Sequence, residues 1–486
     1  MTDAIGRSIF FSLAVGGKCA CVRRMGRGEK VESFKKNDRF MTFIRSCSQK
    51  FVAAMVQGAL FLGTLLPLGA QSPQARNYPV ALGYPQYYDQ KRTMYAALGT
   101  SSRDIVLAGD DFIDRGMWAE MYANPRLKNR GIAGDHLYGL DYRLDEILRG
   151  RPEKIFLYIG KRDLNAGMSP SLAASYLGDI VRRIRTASRR TQVYVLSLFP
   201  DCRTDSVRSE RYRAYNRLLA QIPGTRYVDI ASALRNEAGA LDPAFYYGSS
   251  LQLNGAGYQT VCQALQPYLG ACALDTAALA DDPADSLLRG YVRERHSLIA
   301  RLPVERDDIL MIGNSITQGG NWDELFGNPS VKNRGINSDV TDGILARLPR
   351  TLRARPGKVF LMAGINDLGN PPQRTEEYTL EHILKVVSQI HRHWPETRVY
   401  VQSILPVNPV FPTFASHTVF TDQVVRINRA LALAAASHDY VFIDLHSHFT
   451  DADGHLDRRY TNDGLHLCGQ GYLLWRELLL PYVKEP

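Results

Sequence analysis

Short apolar runs of four or five residues recur along the chain, separated by longer segments whose apolar positions fall at helical spacing. From Tyr87 to about Leu98 that spacing predicts an amphipathic helix, followed by an apolar strand at Ile105-Val-Leu-Ala108. Further strands are predicted at Ile155-Phe-Leu-Tyr158, Val193-Tyr-Val-Leu-Ser197 and Tyr227-Val-Asp-Ile230, each preceded by a helical stretch. The same order returns from Tyr291, through Ile309-Leu-Met-Ile312, Val359-Phe-Leu-Met362, Val399-Tyr-Val-Gln-Ser403 and Val441-Phe-Ile-Asp-Leu445. Continuous apolar runs alternating with helices read as parallel strands buried on both faces, in βαβ units. The expected fold class is α/β: two tandem, doubly wound, three-layer α/β/α sandwiches with parallel sheets. In such sheets reactive groups gather beyond the carboxyl ends of the strands.

The recurrence is a true repeat. Tyr122-Ala-Asn-Pro-Arg-Leu-Lys-Asn-Arg-Gly-Ile132 returns as Phe326-Gly-Asn-Pro-Ser-Val-Lys-Asn-Arg-Gly-Ile336, a shift of 204 positions (from 122 to 326). The same shift carries Gly109-Asp-Asp111 onto Gly313-Asn-Ser315, and Gly160-Lys-Arg-Asp163 onto Gly364-Ile-Asn-Asp367. Towards the ends, Ser249-Ser-Leu-Gln252 matches Asp463-Gly-Leu-His466. A long repeat present twice indicates domain duplication rather than a solenoid. The expected division is a leader over 1–70, a first domain over 71–274, a small, acidic linker over 275–288 and a second domain over 289–486. Each domain is long enough for its own core.

The net charge of +10 would favour nucleic acid or an anionic membrane as partner. Most of it lies in residues 1–70, which hold eleven Lys and Arg against four Asp and Glu. No nucleic-acid partner is therefore expected. That segment has the order of an export signal starting at Met41: basic residues Arg45 and Lys50, the apolar run from Phe51 to Leu66, and the small-residue exit Leu68-Gly-Ala70 before Gln71. The competing reading is an uncleaved membrane anchor. The expected location is periplasmic, cell-surface or secreted. Cys202, Cys262, Cys272 and Cys468 follow the leader in no zinc-binding pattern. Export permits disulfides, but the spacing names no pair, and buried thiols are the expectation.

In the second copy four positions carry chemistry. Ser315 follows an apolar strand through Gly313-Asn314, where a glycine allows the chain to turn into a helix. A serine nucleophile needs a base, which His466 can supply, with Asp463 to orient the imidazole. The developing oxyanion needs donors, and the Gly335 backbone N–H and the Asn366 side-chain amide are the candidates. In the first copy the aligned positions are Asp111, Gly131, Arg162, Ser249 and Gln252, which supply neither nucleophile nor base. The opposite charges of Asp111 and Arg162 predict a salt bridge that plugs the old pocket; the competing readings are a pocket reused to bind an anion through Arg162, and neutral drift with both side chains in water.

Taken together, Gly-Asn-Ser315, Gly335, Gly-Ile-Asn366-Asp and Asp463-x-x-His466 resemble the four blocks of the SGNH (GDSL-type) hydrolases. The match is closest to the platelet-activating-factor acetylhydrolase-like and sialate O-acetylesterase-like members, with a degenerate first copy. The resemblance covers about Tyr291–Tyr482. It implies Ser315 as nucleophile, Asp463 and His466 as the rest of the triad, and Gly335 and Asn366 as oxyanion donors with the Ser315 N–H. It implies no cofactor, and no metal-ligand cluster is visible in the sequence. Asn314 departs from the family's aspartate at a position that is not the nucleophile.

Asn314 and Asn408 are candidate pocket residues. The insert Pro409–Phe420, absent from the first copy, is a lid or sugar platform, or else packs on its own domain. Asp444-Leu-His446 directly follows a core strand and reads as structural; His391 and His393 read as solvated. The expected function is an exported esterase removing short acyl groups, most of all acetyl, from a carbohydrate such as an O-acetylated sialic acid. The alternatives are a lipid esterase of the platelet-activating-factor acetylhydrolase or lysophospholipase type, and a non-catalytic glycan-binding or scaffold protein. Packing of the two domains on each other is expected.

Overall fold

The computed structural model describes residues 85–201, 206–247, 252–275, 288 and 290–485, with a two-residue pairing of β1 (Ala14–Val15) and β2 (Lys18–Cys19). The signal-like run, Ser249, Cys202 and most of the expected linker lie outside the described residues. Each copy holds one five-stranded parallel sheet. In the first, β3 (Ile105–Gly109), β4 (Leu127–Gly131), β5 (Lys154–Tyr158), β6 (Gln192–Leu196) and β7 (Thr225–Val228) lie in the order β4-β3-β5-β6-β7. In the second, β8 (Ile309–Gly313), β9 (Val331–Gly335), β10 (Lys358–Met362), β11 (Arg398–Gln402) and β12 (Val441–Ile443) repeat it as β9-β8-β10-β11-β12. The strand order reverses at β8, so the crevice for a ligand opens at the carboxyl ends of β8 and β10.

The apolar runs are buried because helices cover both faces: every residue of β3, β8 and β10 is buried. Gly313 closes β8 where it meets Gly335 and Met362 in register. A β-carbon at Gly313 would lie 2.5 Å from the Met362 carbonyl oxygen, so the turn towards Ser315 is sterically closed to larger residues.

The two opening helices are exchanged between the copies. Helix Pro85–Leu98 places Tyr88, Met94 and Tyr95 in the core of the second copy. Helix Gly290–Ile299 places Leu298 and Ile299 in the core of the first. Each caps the other copy's last helix: the Thr93 hydroxyl accepts from Gly469 N at 3.0 Å, and the Ser297 hydroxyl from Gly255 N at 2.7 Å. Thr93 and Ser297 are related by the same shift of 204. Two ion pairs repeat the relation. Arg130 donates to both carboxylate oxygens of Glu324, at 2.9 and 2.7 Å, and Arg334 lies 2.9 Å from Glu120. The contact is that of a two-fold dimer written into one chain.

This corrects the division read from the repeat. Residues 85–98 belong to the first copy by sequence and fill the second copy's core; helix Gly290–Ile299 does the converse. The repeat fixes which residues form the helix, whereas its apolar stripe is satisfied by whichever core reaches it. A second correction concerns the thiols: Cys262 and Cys272 form a disulfide, with Cα atoms 5.7 Å apart. Cys468 is free.

The exchange predicts that residues 289–486 produced alone will not make a stable enzyme, because the face that receives Tyr88, Met94 and Tyr95 is left in water. Soluble yield, thermal melting and ester hydrolysis of that fragment, compared with residues 77–486, test this. A fragment as stable and as active as the longer chain would show that the first copy is dispensable.

Candidate active site

Ser315 begins the helix Ser315–Gly319 directly after β8. Asn314 caps that helix, its Oδ1 accepting from Ile316 N at 3.0 Å. Ser315 Oγ lies 2.9 Å from His466 Nε2, and His466 Nδ1 lies 2.9 Å from Asp463 Oδ2. A proton on Nδ1 shared with the carboxylate leaves Nε2 as the acceptor for the serine hydroxyl. Asp463 and His466 sit on a tight loop before the helix Gly469–Lys484, with Gly464 in the left-handed region at φ 83°.

Asp463 is 2 % exposed, and each of its oxygens is doubly satisfied by strong donors. Oδ1 accepts from the backbone N–H of Leu465 at 2.9 Å and of His466 at 2.7 Å. Oδ2 accepts from His466 Nδ1 and from Gln90 Nε2 at 2.8 Å. Burial works to raise the acid's pKa; the hydrogen bond and charge of His466, with the backbone donors, outweigh it and hold Asp463 below the ordinary value. Gln90 comes from the exchanged helix Pro85–Leu98, 373 positions away in sequence. It was not legible as a site residue, because no local pattern marks a contact between copies.

Asn366 follows β10 and is 4 % exposed. Its Nδ2 donates one hydrogen to the Asp339 carbonyl at 2.9 Å, leaving the second N–H uncommitted, and the residue lines the cavity beside Ser315. Gly335 does not serve as the second donor. Its N–H is taken by Asn333 Oδ1 at 2.9 Å, it ends strand β9, and it does not line the cavity. The residue in that role by geometry is Ser338, which lines the cavity in the left-handed region at φ 63° and whose N–H has no acceptor among the described residues. The first copy shows where this N–H points. There Gly134, 204 positions earlier, donates its N–H to Asp111 Oδ2 at 2.9 Å. Asp111 holds the nucleophile's place, so its carboxylate occupies the space an oxyanion would fill. The signal in the sequence was the alignment of Ser338 with a glycine.

Two further expectations fail. Asn314 is 2 % exposed and serves as the helix cap, outside the cavity. Asn408 is 1 % exposed; it donates to the Leu456 carbonyl and accepts from Val410 N, clamping the loop that carries the insert. The insert itself does reach the site. Phe414 packs edge-on against the His466 ring at 4.8 Å, and His417 lines the same cavity. His446 is held by Thr450 and Ser403, away from the site.

The cavity encloses about 550 Å³ and takes its walls from both copies, Asp111 and Arg162 as well as Ser315 and His466. The expected Asp111–Arg162 salt bridge is absent. Asp111 is engaged by Gly134 N and by Arg115 at 3.5 Å. Gln252 does not line the cavity. Among the described residues no group of three or more His, Cys, Asp or Glu is placed to hold a metal ion.

The GDSL-like lipase/acylhydrolase family matches the chain twice, over residues 108–260 and 311–474. No curated protein matches it. Among solved structures, the chain is similar to one assigned as a platelet activating factor from Streptococcus pneumonia, at 28% identity over 40% of this chain and 91% of that one, with a TM-score of 0.36. It is also similar to a structure assigned as an acylhydrolase from Bacteroides fragilis, at 22% identity over 42% and 98% of the two chains, with a TM-score of 0.35. A GDSL-like lipase from Bacteroides thetaiotaomicron matches at 22% identity over 40% and 97%, with a TM-score of 0.36. The chain belongs to the GDSL-like lipase/acylhydrolase family, as a tandem pair of its domains, and is a hydrolase of carboxylic esters.

Proposed function

We propose that this chain is an exported serine esterase that removes short acyl groups, acetyl above all, from a carbohydrate. The lining of the cavity carries the reading. Around Ser315 it presents Gln318, Asn337, Ser338, Asn366 and Asn370. Amides and hydroxyls suit a polyhydroxylated leaving group, whereas a long acyl chain needs continuous apolar walls. The apolar side chains Phe414, Leu465 and Leu467 gather beside His466, enough to border a small acyl group.

In the proposed reaction Ser315 Oγ attacks the acyl carbonyl while its proton passes to His466 Nε2. Asp463 stabilises the imidazolium. The N–H groups of Ser315 and Ser338 and the Asn366 amide receive the oxyanion. Collapse of the tetrahedral intermediate breaks the ester C–O bond, and His466 returns its proton to the departing sugar oxygen. Water, deprotonated by His466, then releases the acyl group as its acid. Export is supported by the basic, apolar and small-residue order from Met41 to Ala70, and by the Cys262–Cys272 disulfide, which suits an oxidising compartment.

Four outcomes are expected. Ser315→Ala loses about 10³-fold or more in kcat with its melting unchanged. The native chain releases acetate from O-acetylated sialoglycan faster than it releases fatty acid from lysophospholipid. The reverse preference would replace the sugar reading by a lipid one, and most of the activity surviving in Ser315→Ala would remove the nucleophile. Gln90→Ala lowers kcat about ten- to a hundredfold with KM little changed, since a hydrogen bond to a charged group contributes about 1.5–3 kcal/mol. A change in KM alone would place Gln90 on the substrate instead of on Asp463. N-terminal sequencing of protein from its native host is expected to begin near Gln71; a chain that retains Phe51–Leu66 would be anchored, not released.

A further inference from the structure

Six side chains with a formal charge line the cavity: Lys91, Arg115 and Arg162, and Asp111, Asp114 and Asp463. Five are engaged. Lys91 lies 3.6 Å from Asp114, whose other oxygen accepts the Tyr87 hydroxyl at 2.7 Å. Arg115 lies 3.5 Å from Asp111. Asp463 is held by His466 and Gln90. Arg162, half-buried, makes no ion pair and donates no hydrogen bond among the described residues, and its Nε is buried without a partner.

The surroundings keep that guanidinium available. Gly134 backs onto it: a β-carbon there would stand 3.6 Å from Arg162 Nη1, an ordinary van der Waals distance. Burial, and then the charge of Arg162, push the nearby His136 imidazole down to about 4, so at neutral pH it is uncharged. Asp111, the nearest counter-charge by homology, is committed to Gly134 and Arg115. A partly desolvated guanidinium without an acceptor is costly. Its planar fork matches a carboxylate or a phosphate.

We infer that Arg162 binds an anionic group, carboxylate or phosphate, on the alcohol portion of the ester cleaved at Ser315, so that the inactive copy selects substrates for the active one. The inference rests on the reading of Ser315 as nucleophile. The anion falls on the alcohol portion because a two-carbon acyl group bound beside His466 cannot extend into the other copy. Within that reading, the substrate becomes an acetylated acidic sugar rather than a neutral one.

The test uses a matched pair, O-acetylated N-acetylneuraminic acid and the methyl ester of its carboxyl group, with acetate release as readout. The native chain is expected to prefer the free acid by about tenfold or more in kcat/KM, chiefly through KM. Arg162→Ala brings the preference close to one, and Arg162→Lys retains part of it. A native chain that treats the pair alike, or an Arg162→Ala variant that keeps the preference, overturns the inference. If neither ester is cleaved, the acetyl-sugar reading falls, and calorimetric titration decides the anion site without turnover. N-acetylneuraminate and glycerol 3-phosphate are titrated into the native chain and into Arg162→Ala. At least one of them must bind the native chain about tenfold more tightly; equal binding, or none, overturns the inference. The tighter of the two names carboxylate or phosphate as the group recognised.

Discussion

Two buried arginines, Arg130 and Arg334, each need a carboxylate from the other copy, and this reciprocal demand fixes how the halves meet. Arg130 is 1 % exposed and Arg334 is fully buried. A buried pair adds little net stability over a well-packed apolar one, but separating it leaves an unsatisfied charge at a cost of about 3–5 kcal/mol. Sliding one copy along the other breaks both pairs at once. Glu120 and Glu324 are related by the repeat, as are the arginines, so a single geometry satisfies both contacts. Burial works against ionisation of Glu324, and the Arg130 charge and hydrogen bonds overcome it, holding its pKa below the ordinary value.

From that fixed docking the exchange of opening helices follows, and from the exchange the composition of the site. Helix Pro85–Leu98 can complete the second core only if the copies meet in this one way. The same helix carries Gln90 to the Asp463 carboxylate. The hydrogen-bonded series Ser315, His466 and Asp463 of the second copy is therefore held in place partly by a first-copy side chain. The cavity inherits the same mixture: its reactive wall comes from the carboxyl ends of β8 and β10, and its opposite wall from those of β3 and β5. Two domains facing each other at their strand ends enclose a shared space that neither would enclose alone.

The fold was legible because its signals are local. Apolar runs such as Ile309-Leu-Met-Ile312 became buried parallel strands, and the glycine before Asn314 became a turn with no room for a β-carbon. Ser315, His466 and Asp463 were legible as a set because Ser315 follows a glycine at a strand end and Asp463-x-x-His466 precedes the last helix, and the structure links each to the next at 2.9 Å, Ser315 to His466 and His466 to Asp463. The failures are those of side-chain direction and of contact between distant segments. Gly335 ends strand β9 and Ser338 lies three residues on, and only backbone geometry tells which N–H faces the cavity and which is spent on Asn333. Asn408 at a strand end carried the same polar signal as Asn366, yet its amide turns inward to close a loop. Gln90 and the exchanged helices left no trace, since a repeat encodes each copy's elements and says nothing of which copy receives them.

The pairing of Asp111 with Arg162 failed for a reason that lies in the backbone of the first copy. Opposite charges at converging positions suggest neutralisation, but a carboxylate at the nucleophile's place finds a stronger partner already built: the N–H that would have received an oxyanion. The Gly134 N–H satisfies Asp111 as its counterpart would satisfy a tetrahedral intermediate, and Arg115, one turn along the same helix, supplies the charge. The place that aligns with the oxyanion site is thus occupied by the Asp111 carboxylate. Arg162 lines the cavity and has no ion-pair partner among the described residues. The absence of a serine at position 111 and, among the described residues, a guanidinium without an ion-pair partner in the shared cavity thus go together with the same carboxylate.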